Sequence, residues 1–205
     1  MMPKGLLISF EGLDGSGKTT QVMMLGFWLQ ERGIDYIATR EPGGTELGIA
    51  IRKLILEPPE AIDSLAEAFL FQADRAQHFA KIVLPSLRSG KVVITDRCFD
   101  SSIAYQGRLL DIEMLDWMSR MAMRSRLPHL TILLDLPAEQ VRVHKNGQDR
   151  IDNESLEFHM KVRSAFLKQA KDNPKRIKII DATQGIHEVH QEVVKLVEDL
   201  LARNC

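Results

Sequence analysis

The sequence predicts an α/β fold in which a five-stranded parallel sheet is flanked by helices. Five short apolar runs alternate with longer segments of helical periodicity, and a glycine-rich loop follows the first run. Apolar runs without strict alternation are typical of parallel strands that are covered on both faces. A chain of 205 residues is also long enough for one domain with a substantial core. We therefore expect a single three-layer domain.

The elements follow one another in a regular order. Val22, Leu25 and Leu29 recur at helical spacing after the first strand, and Gly33 follows as a stop signal. A longer helical region is predicted at roughly 64–89. Strands that alternate with helices favour a sheet with crossover connections. The predicted strands are residues 5–10, 35–40, 91–96, 130–135 and 176–181.

Composition excludes several classes of partner. Lysine and arginine total 27 against 28 acidic residues, so no global basic field favours nucleic acid. The two cysteines, Cys98 and Cys205, can form neither a disulfide framework nor a zinc site. No apolar run approaches the roughly 18 residues of a membrane span, and the first residues lack the features of a signal peptide. These observations predict a cytoplasmic protein without a nucleic-acid or membrane partner.

The strongest chemical signal is the loop GLDGSGKTT at residues 12–20. Gly12, Gly17, Lys18 and Thr19 satisfy the pattern G-x-x-x-x-G-K-[ST] between a strand and a helix. Backbone N–H groups of such a loop converge on phosphate oxygens, the lysine reaches the β and γ phosphates, and the threonine hydroxyl binds Mg²⁺. The residues expected to bind the nucleoside triphosphate are Gly12, Leu13, Asp14, Gly15, Ser16, Gly17, Lys18, Thr19 and Thr20.

The loop alone does not say what happens to the phosphate, because GTPases, motor ATPases and small-molecule kinases all use it. Asp96 ends the third predicted strand and Arg97 follows directly. A carboxylate there can orient Mg²⁺ or its water shell, while the guanidinium neutralises phosphate oxygens. The alternative is an Asp–Arg turn at the surface.

Two further segments indicate a site for an acceptor. The loop 39–48 carries Arg40 and Glu41 beside Pro-Gly-Gly, and we expect it next to the phosphate loop. Phe71 and Arg75 are four residues apart, so they share one helical face as an aromatic plate and a planar donor. Such a pair can hold a nucleobase. Spacing alone also permits a core phenylalanine beside a surface arginine.

A polar, glycine-containing segment at residues 144–155 is predicted to be a mobile flap. Arg142, Lys145 and Arg150 flank this segment or lie within it, and they could close over the phosphates. In related phosphoryl-transfer reactions, a mobile arginine raises the rate by a factor of about 10³ to 10⁵. The alternative is a solvated charged face.

Four ordered motifs, FEGLDGSGKTT, TREPGGT, FQADRAQ and DRCFDSSIAYQG, resemble those of bacterial thymidylate kinases over essentially the whole chain. DRID at 149–152 and IIDATQ at 179–184 follow in the expected order. The resemblance implies one P-loop nucleoside-monophosphate kinase domain over residues 1–205, with a lid at approximately 142–154. It further implies a homodimer that transfers the γ-phosphoryl of ATP to dTMP, giving dTDP and ADP for dTTP synthesis.

The resemblance also implies how the base and sugar of dTMP are bound. Phe71 would stack on thymine and Arg75 would bond its O4. Asp14 would contact the sugar 3′-hydroxyl, and Tyr105 would pack where a 2′-hydroxyl would otherwise lie. The remaining residues of this pocket would be Ser101, Ser102 and Gln106.

The same resemblance assigns the phosphate chemistry. Arg97 would bridge the acceptor phosphate, with help from Arg40, and Asp96 would lie near the metal. Thr19 and Asp96 are thus the predicted Mg²⁺ residues. The predicted catalytic residues are Lys18, Asp96, Arg97, Arg142 and Arg150.

The chain departs from the family pattern at three places. Cys98 stands where an aromatic residue or histidine is common, and we interpret it as a small buried hydrophobe, with a nucleophile as the alternative. The loop after Tyr105 and Gln106 is shorter than usual. Lys145 stands near a position where an arginine is expected, and a lysine there retains the positive charge but lacks the planar hydrogen-bonding fork.

Two other functions are compatible with parts of the sequence. A deoxynucleoside kinase would use the same donor but phosphorylate a neutral nucleoside, so it would not need the extra cations Arg40 and Arg97. An ATPase switch would hydrolyse its nucleotide to change shape for a protein partner. Such a switch would need neither a base pocket nor Tyr105.

Overall fold

The structure is a computed structural model that describes residues 5–141 and 154–204. Its five strands form one parallel sheet in the order β2-β3-β1-β4-β5. The strands are β1 (Leu6–Glu11), β2 (Tyr36–Arg40), β3 (Val92–Asp96), β4 (Leu130–Asp135) and β5 (Ile177–Asp181). The predicted α/β fold with five parallel strands is therefore confirmed.

Helices fill the connections between strands, and half of the described α-helices begin at a polar side chain that caps them. The predicted region 64–89 is helical but not uniform, because a π-helical segment, Phe79–Val83, joins two α-helices. Asp63 starts the first of them by accepting hydrogen bonds from the N–H groups of Leu65 and Ala66. The helices are α1 (Lys18–Glu31), α2 (Glu46–Leu56), α3 (Ser64–His78), α4 (Leu84–Arg88), α5 (Phe99–Gln106), α6 (Ile112–Ala122), α7 (Leu156–Asp172) and α8 (Ile186–Ala202), with a 3₁₀ turn at Ala138–Gln140.

Successive residues of β1 face opposite sides of the sheet, and this alternation separates two cores. Ile8 and Phe10 pack with α1 and α8 on one side. Leu7 packs on the other side with α3, α5 and α6. Ser9 and Glu11 alternate with the first pair and therefore face the side of α5. This arrangement is the predicted three-layer architecture.

The parallel strands bring polar residues to one edge of the sheet. β1 lies at the centre and pairs with both β3 and β4, so their carboxyl ends are adjacent. Glu11, Asp96 and Asp135 are the last residues of these three strands. Ligands bind at this edge in open α/β sheets, and both the glycine-rich loop and Arg97 follow from it.

The predicted lid falls almost entirely outside the described residues, as do Arg142, Lys145 and Arg150. Within residues 5–141 and 154–204, none of the helices combines the length and apolar character that crossing a bilayer requires.

Candidate active site

The glycine-rich loop turns from β1 into α1 through left-handed backbone. Gly12 has φ 137°, and a Cβ at this position would lie 2.4 Å from the carbonyl oxygen of Leu134, so a side chain is excluded. Gly17, with φ 89°, caps the start of α1. The buried Ser16 hydroxyl has no hydrogen-bond partner among the described residues. A buried free hydroxyl beside the N–H groups of a helix N-terminus fits phosphate oxygens.

Lys18 lies back over this loop. Its ammonium donates to the carbonyl oxygens of Leu13, at 2.7 Å, and Gly12, at 3.2 Å, and it lies 3.9 Å from the carboxylate of Asp14. Burial lowers the pKa of Lys18 to about 8, and the charge of Arg97 adds to this effect. Phosphate oxygens can compete for an ammonium that neutral carbonyls hold.

Thr19 and Asp96 place two oxygen ligands side by side. The Thr19 hydroxyl donates to the Asp96 carboxylate at 2.5 Å, which joins the start of α1 to the end of β3. The part of the chain that the structure describes holds no cluster of three or more His, Cys, Asp or Glu side chains suited to a metal. Phosphoryl-transfer sites commonly bind Mg²⁺ through one or two protein oxygens together with nucleotide phosphates. This pair of oxygens fits such a magnesium site.

Arg97 is held from three directions. Its guanidinium donates to the Asp14 carboxylate at 2.6 Å, to the Ser101 hydroxyl at 3.0 Å and to the Gly12 carbonyl at 3.1 Å. The side chain is only 16% exposed, so the alternative of a surface turn is wrong. Burial raises the pKa of Asp14, but Arg97 and Lys18 outweigh it, and the net shift is downward. Asp14 is therefore ionised at neutral pH.

Eight of the nine residues predicted to bind dTMP surround one cavity of about 70 Å³. These residues are Asp14, Phe71, Arg75, Arg97, Ser101, Ser102, Tyr105 and Gln106. We call this cavity the base pocket. The ninth, Arg40, is exposed and lines an adjoining cleft of about 700 Å³ together with Lys18, Thr19 and Asp96. We call this the phosphate cleft. Asp14 and Arg97 border both.

Arg75 is 2% exposed, which makes the alternative of a surface arginine wrong. Its Nε donates to Glu41 and one Nη donates to Gln72, both at 2.8 Å. The other Nη donates to the Ser102 hydroxyl at 3.1 Å and to the Cys98 carbonyl at 3.4 Å. A guanidinium has five N–H donors, so one remains without an acceptor among the described residues. That donor belongs to a side chain in the wall of the base pocket.

Glu41 connects Arg75 to the loop after β2. Its second oxygen lies 2.8 Å from Nδ1 of His78, whose Nε2 lies 2.8 Å from the Thr39 hydroxyl. Burial raises the pKa of Glu41, but Arg75 and His78 outweigh it and the pKa is lowered. Asp74 accepts a hydrogen bond from the N–H of Gly43 at 3.0 Å, so α3 holds the loop at several points.

Sequence patterns alone do not reveal the roles of Glu41 and His78. In the sequence, Glu41 is only a charged neighbour of Arg40, and His78 lies outside the four motifs. The fully buried position of both side chains could be found only once the partners across the fold were known.

Tyr105 of α5 lines the base pocket beside Asp14 and packs against α7. The Tyr105 hydroxyl donates to Asp14 at 3.4 Å, and its ring packs 6.1 Å from the rings of Phe158 and Phe166. Burial raises the pKa of Tyr105, so the phenol stays neutral. Gln106 donates to Glu67 at 2.8 Å, which ties the end of α5 to α3 despite the short loop that follows.

Cys98 is 1% exposed, and its sulfur lies 3.8 Å from that of Met123. Burial raises its pKa well above the ordinary value. A thiol that stays protonated in an apolar environment is a poor nucleophile. These features support its interpretation as a small buried hydrophobe.

Comparisons with known proteins agree on one family. The family model described as thymidylate kinase matches residues 10–193. The thymidylate kinase of Symbiobacterium thermophilum is 42% identical over 203 residues, covering 97% of this chain and 95% of that protein. The thymidylate kinase of Pelotomaculum thermopropionicum is 46% identical over 205 residues, with the same coverage of each chain.

A solved structure agrees with these sequence relatives. The crystal structure of thymidylate kinase from Ehrlichia chaffeensis superimposes with a TM-score of 0.79 at 37% identity, covering 95% of this chain and 99% of that one. The fold, the motifs and near-complete coverage at this level of identity lead to the same conclusion: the chain belongs to the thymidylate kinase family.

Proposed function

We propose that this protein transfers the γ-phosphoryl group of ATP to dTMP, giving dTDP and ADP for dTTP synthesis. The observation that carries the proposal is the position of Arg97 and Asp14, which form a 2.6 Å ion pair at the junction of the base pocket and the phosphate cleft. A nucleotide with its base in the pocket would present its phosphate to Arg97 at the edge of the cleft. The arrangement suits a phosphorylated acceptor better than a neutral nucleoside.

The base pocket accounts for the choice of thymine. Phe71 supplies an aromatic face, and the remaining N–H of Arg75 would donate to the 4-oxo group of the base. Cytosine carries an amino group at this position, so two donors would face each other. Asp14 would accept the sugar 3′-hydroxyl, with Tyr105 packed against the deoxyribose. Ser101, Ser102 and Gln106 complete the proposed pocket.

The phosphate cleft accounts for the transfer. Lys18 and the loop N–H groups would bind the donor phosphates, and Arg97 and Arg40 would neutralise the acceptor phosphate. Thr19 and Asp96 would hold Mg²⁺, which supplies positive charge to the phosphates of ATP when it is bound. Phosphoryl transfer needs mainly alignment and charge neutralisation, and these side chains provide both.

The lid belongs to the same proposal. Arg142 and Arg150 would add cations from a segment at approximately 142–154 that closes over the phosphates. Closure would also exclude water, which otherwise accepts the phosphoryl group. We further propose a single domain over residues 1–205 and a cytoplasmic location.

A homodimer is also proposed. Helix α3 packs against both α2 and α6, and these helices expose large apolar side chains. A second copy of the chain could cover such a surface. Sedimentation of the wild type and of Trp117→Glu would test this: a dimer that persists unchanged in the variant would contradict an interface on this face. The side chains concerned are Leu47, Leu54, Leu65, Trp117 and Met121.

The activity is tested by measuring ADP release with ATP, Mg²⁺ and one acceptor at a time. The acceptors are dTMP, dUMP, UMP, thymidine and none. We expect rapid release with dTMP and little release without an acceptor. Equal release without an acceptor would indicate an ATPase, and a preference for thymidine would indicate a deoxynucleoside kinase.

A further inference from the structure

Glu11 is a buried carboxyl group with no part in the site described above. It is the last residue of β1, is 0% exposed and faces the side of α5. It lines neither the base pocket nor the phosphate cleft. A carboxyl group at a fully buried position is costly unless it is hydrogen-bonded, so its partners indicate why it is present.

The partners of Glu11 lead to Arg97. One carboxyl oxygen accepts a hydrogen bond from the N–H of Cys98 at 2.7 Å, and the other accepts from the Ser101 hydroxyl at 2.6 Å. Ser101 in turn accepts from the Arg97 guanidinium at 3.0 Å. Glu11 is thus linked to Arg97 by two routes. One runs through the backbone N–H of Cys98, the residue after Arg97, and the other runs through the side chain of Ser101.

Arg97 needs such support because its backbone is left-handed, with φ 70°. A residue with a Cβ rarely adopts this conformation and keeps it only where the surroundings enforce it. The N–H of Arg97 donates to the Phe10 carbonyl at 2.9 Å, and its carbonyl accepts from the Thr95 hydroxyl at 2.8 Å. The hydrogen bond from the N–H of Cys98 to Glu11 fixes the peptide unit between Arg97 and Cys98.

The surroundings of Glu11 make its carboxyl group harder to ionise than usual. Burial raises the pKa of Glu11 to about 8 and the neighbouring Asp100 adds to this effect, while Ser101 and Arg97 lower it only in part. Asp100 is itself paired with Arg176 through two contacts of 2.6 and 2.8 Å. A glutamine could therefore retain much of the geometry around Glu11, whereas an apolar side chain could not.

We propose that Glu11 is a positioning residue for the catalytic Arg97. By holding the N–H of Cys98 and the Ser101 hydroxyl, it fixes both the left-handed backbone at Arg97 and the direction of its guanidinium. The inference rests on the proposed dTMP kinase activity, in which Arg97 contacts the acceptor phosphate. A residue that acts in this way should affect turnover only while the arginine is present.

The test is a double-mutant cycle between Glu11 and Arg97. Glu11→Met, which has a similar size but cannot accept either bond, should lower kcat about 100-fold, and Glu11→Gln should restore it to within about tenfold of the wild type. In an Arg97→Ala background, single-turnover rates should change less than about threefold when Glu11→Met is added. A merely structural role would not remove the effect in that background.

Two further variants serve as checks. Ser101→Ala removes the link between Glu11 and the guanidinium, while Glu11 keeps its bond to the N–H of Cys98. This variant should lower kcat about tenfold even if Glu11→Met does not fold. Ser9→Ala is the matched control, because Ser9 lies on the same face of β1 as Glu11. The variant loses one buried hydrogen bond, which joins the Ser9 and Thr131 hydroxyls at 2.8 Å. Its kcat should match the wild type. Thermal unfolding of every variant identifies losses due to folding alone.

The outcomes separate this inference from the proposed function. A wild-type protein that does not phosphorylate dTMP would refute the proposed function itself. An active wild type in which Glu11→Met and Ser101→Ala retain full kcat would overturn the role of Glu11. So would an equal loss from Glu11→Met with and without Arg97.

Discussion

The base pocket and the phosphate cleft lie side by side but are built differently. The pocket is narrow, at about 70 Å³ against about 700 Å³ for the cleft. Its central polar residue, Arg75, is fully buried and donates to four protein acceptors. In the cleft, Lys18 is held by two backbone carbonyls, and Arg40 is exposed.

In the proposed mechanism, this difference assigns selectivity to the base pocket and catalysis to the phosphate cleft. A network whose partners are all protein groups does not rearrange when a ligand arrives, so it discriminates by shape and by hydrogen-bond polarity. Cations held by weak internal partners can exchange those partners for phosphate oxygens. Substitutions in the pocket should therefore change the choice and affinity of the acceptor, whereas substitutions in the cleft should change the rate.

The largest effect is expected at Arg97, where the two regions meet. Arg97→Ala should lower kcat about 10³-fold, because it removes the cation that balances charge on the transferred group. The fold should persist, since the partner Asp14 is 40% exposed and can be solvated. Steady-state ADP release and thermal unfolding measure the two quantities.

Arg124 offers a matched control for this substitution. It is the other arginine with a left-handed backbone among the described residues, at φ 50°, and it is exposed beyond α6. Arg124→Ala should leave kcat unchanged. Near-normal turnover of Arg97→Ala would remove Arg97 from the mechanism and, with it, the distinction drawn between the regions.

The second-largest effect is expected at Arg75 in the base pocket. Arg75→Lys keeps the charge but cannot donate to Glu41, Gln72 and Ser102 together, because lysine lacks the planar fork. We expect kcat/KM for dTMP to fall about 100-fold, and the preference for dTMP over dCMP to narrow. The KM for ATP is the internal control and should stay within about twofold. A parallel rise in both KM values would contradict the separation of the two regions.

The fold and the phosphate loop could be predicted because their signals are local. Strand residues are adjacent in sequence, and the predicted bounds 5–10 and 91–96 differ by one residue at most from Leu6–Glu11 and Val92–Asp96. Gly12 to Thr20 likewise form one continuous segment. Local patterns of this kind need no knowledge of distant contacts.

The supporting network could not be predicted because its partners lie far apart in the chain. Glu41 meets Arg75 across 34 residues, and Glu11 meets Cys98 across 87. A charged side chain in an isolated sequence is expected at the surface, and only the closed fold shows these groups to be buried. The roles assigned to the site residues stay predictions until substitutions test them.

A smaller effect is expected at Phe71, which lines the base pocket and is half-buried. Phe71→Ala should weaken dTMP binding about tenfold, because stacking on an aromatic ring contributes about 1–3 kcal/mol per base. Binding of ATP should not change. Phe27, which is 65% exposed on α1, provides the control: Phe27→Ala should alter neither affinity. Calorimetric titration with each nucleotide gives both dissociation constants, and equal weakening by Phe71→Ala would exclude stacking.

The smallest expected effect is a pH dependence of ATP affinity, which distinguishes the phosphate cleft from the base pocket. Lys18 has its pKa lowered from 10.5 to about 8, first by burial and then by Arg97, so its positive charge is lost as the pH rises through 8. Its charge is fully present at pH 6.5, and about one tenth remains at pH 9. The affinity for ATP should therefore fall up to about tenfold between these values, with little change below pH 7.

Among the described residues, the lining of the base pocket offers no comparable group in this range, because burial keeps Tyr105 neutral and Glu41, with its pKa lowered, stays ionised. Calorimetric titration with ATP and no acceptor, repeated from pH 6.5 to 9.5, should show the fall in the wild type. Lys18→Met should bind ATP weakly at every pH, with a flat profile. A wild-type affinity that stays constant up to pH 9.5 would mean that Lys18 keeps its charge, and that the loop carbonyls and carboxylates offset the cost of its burial.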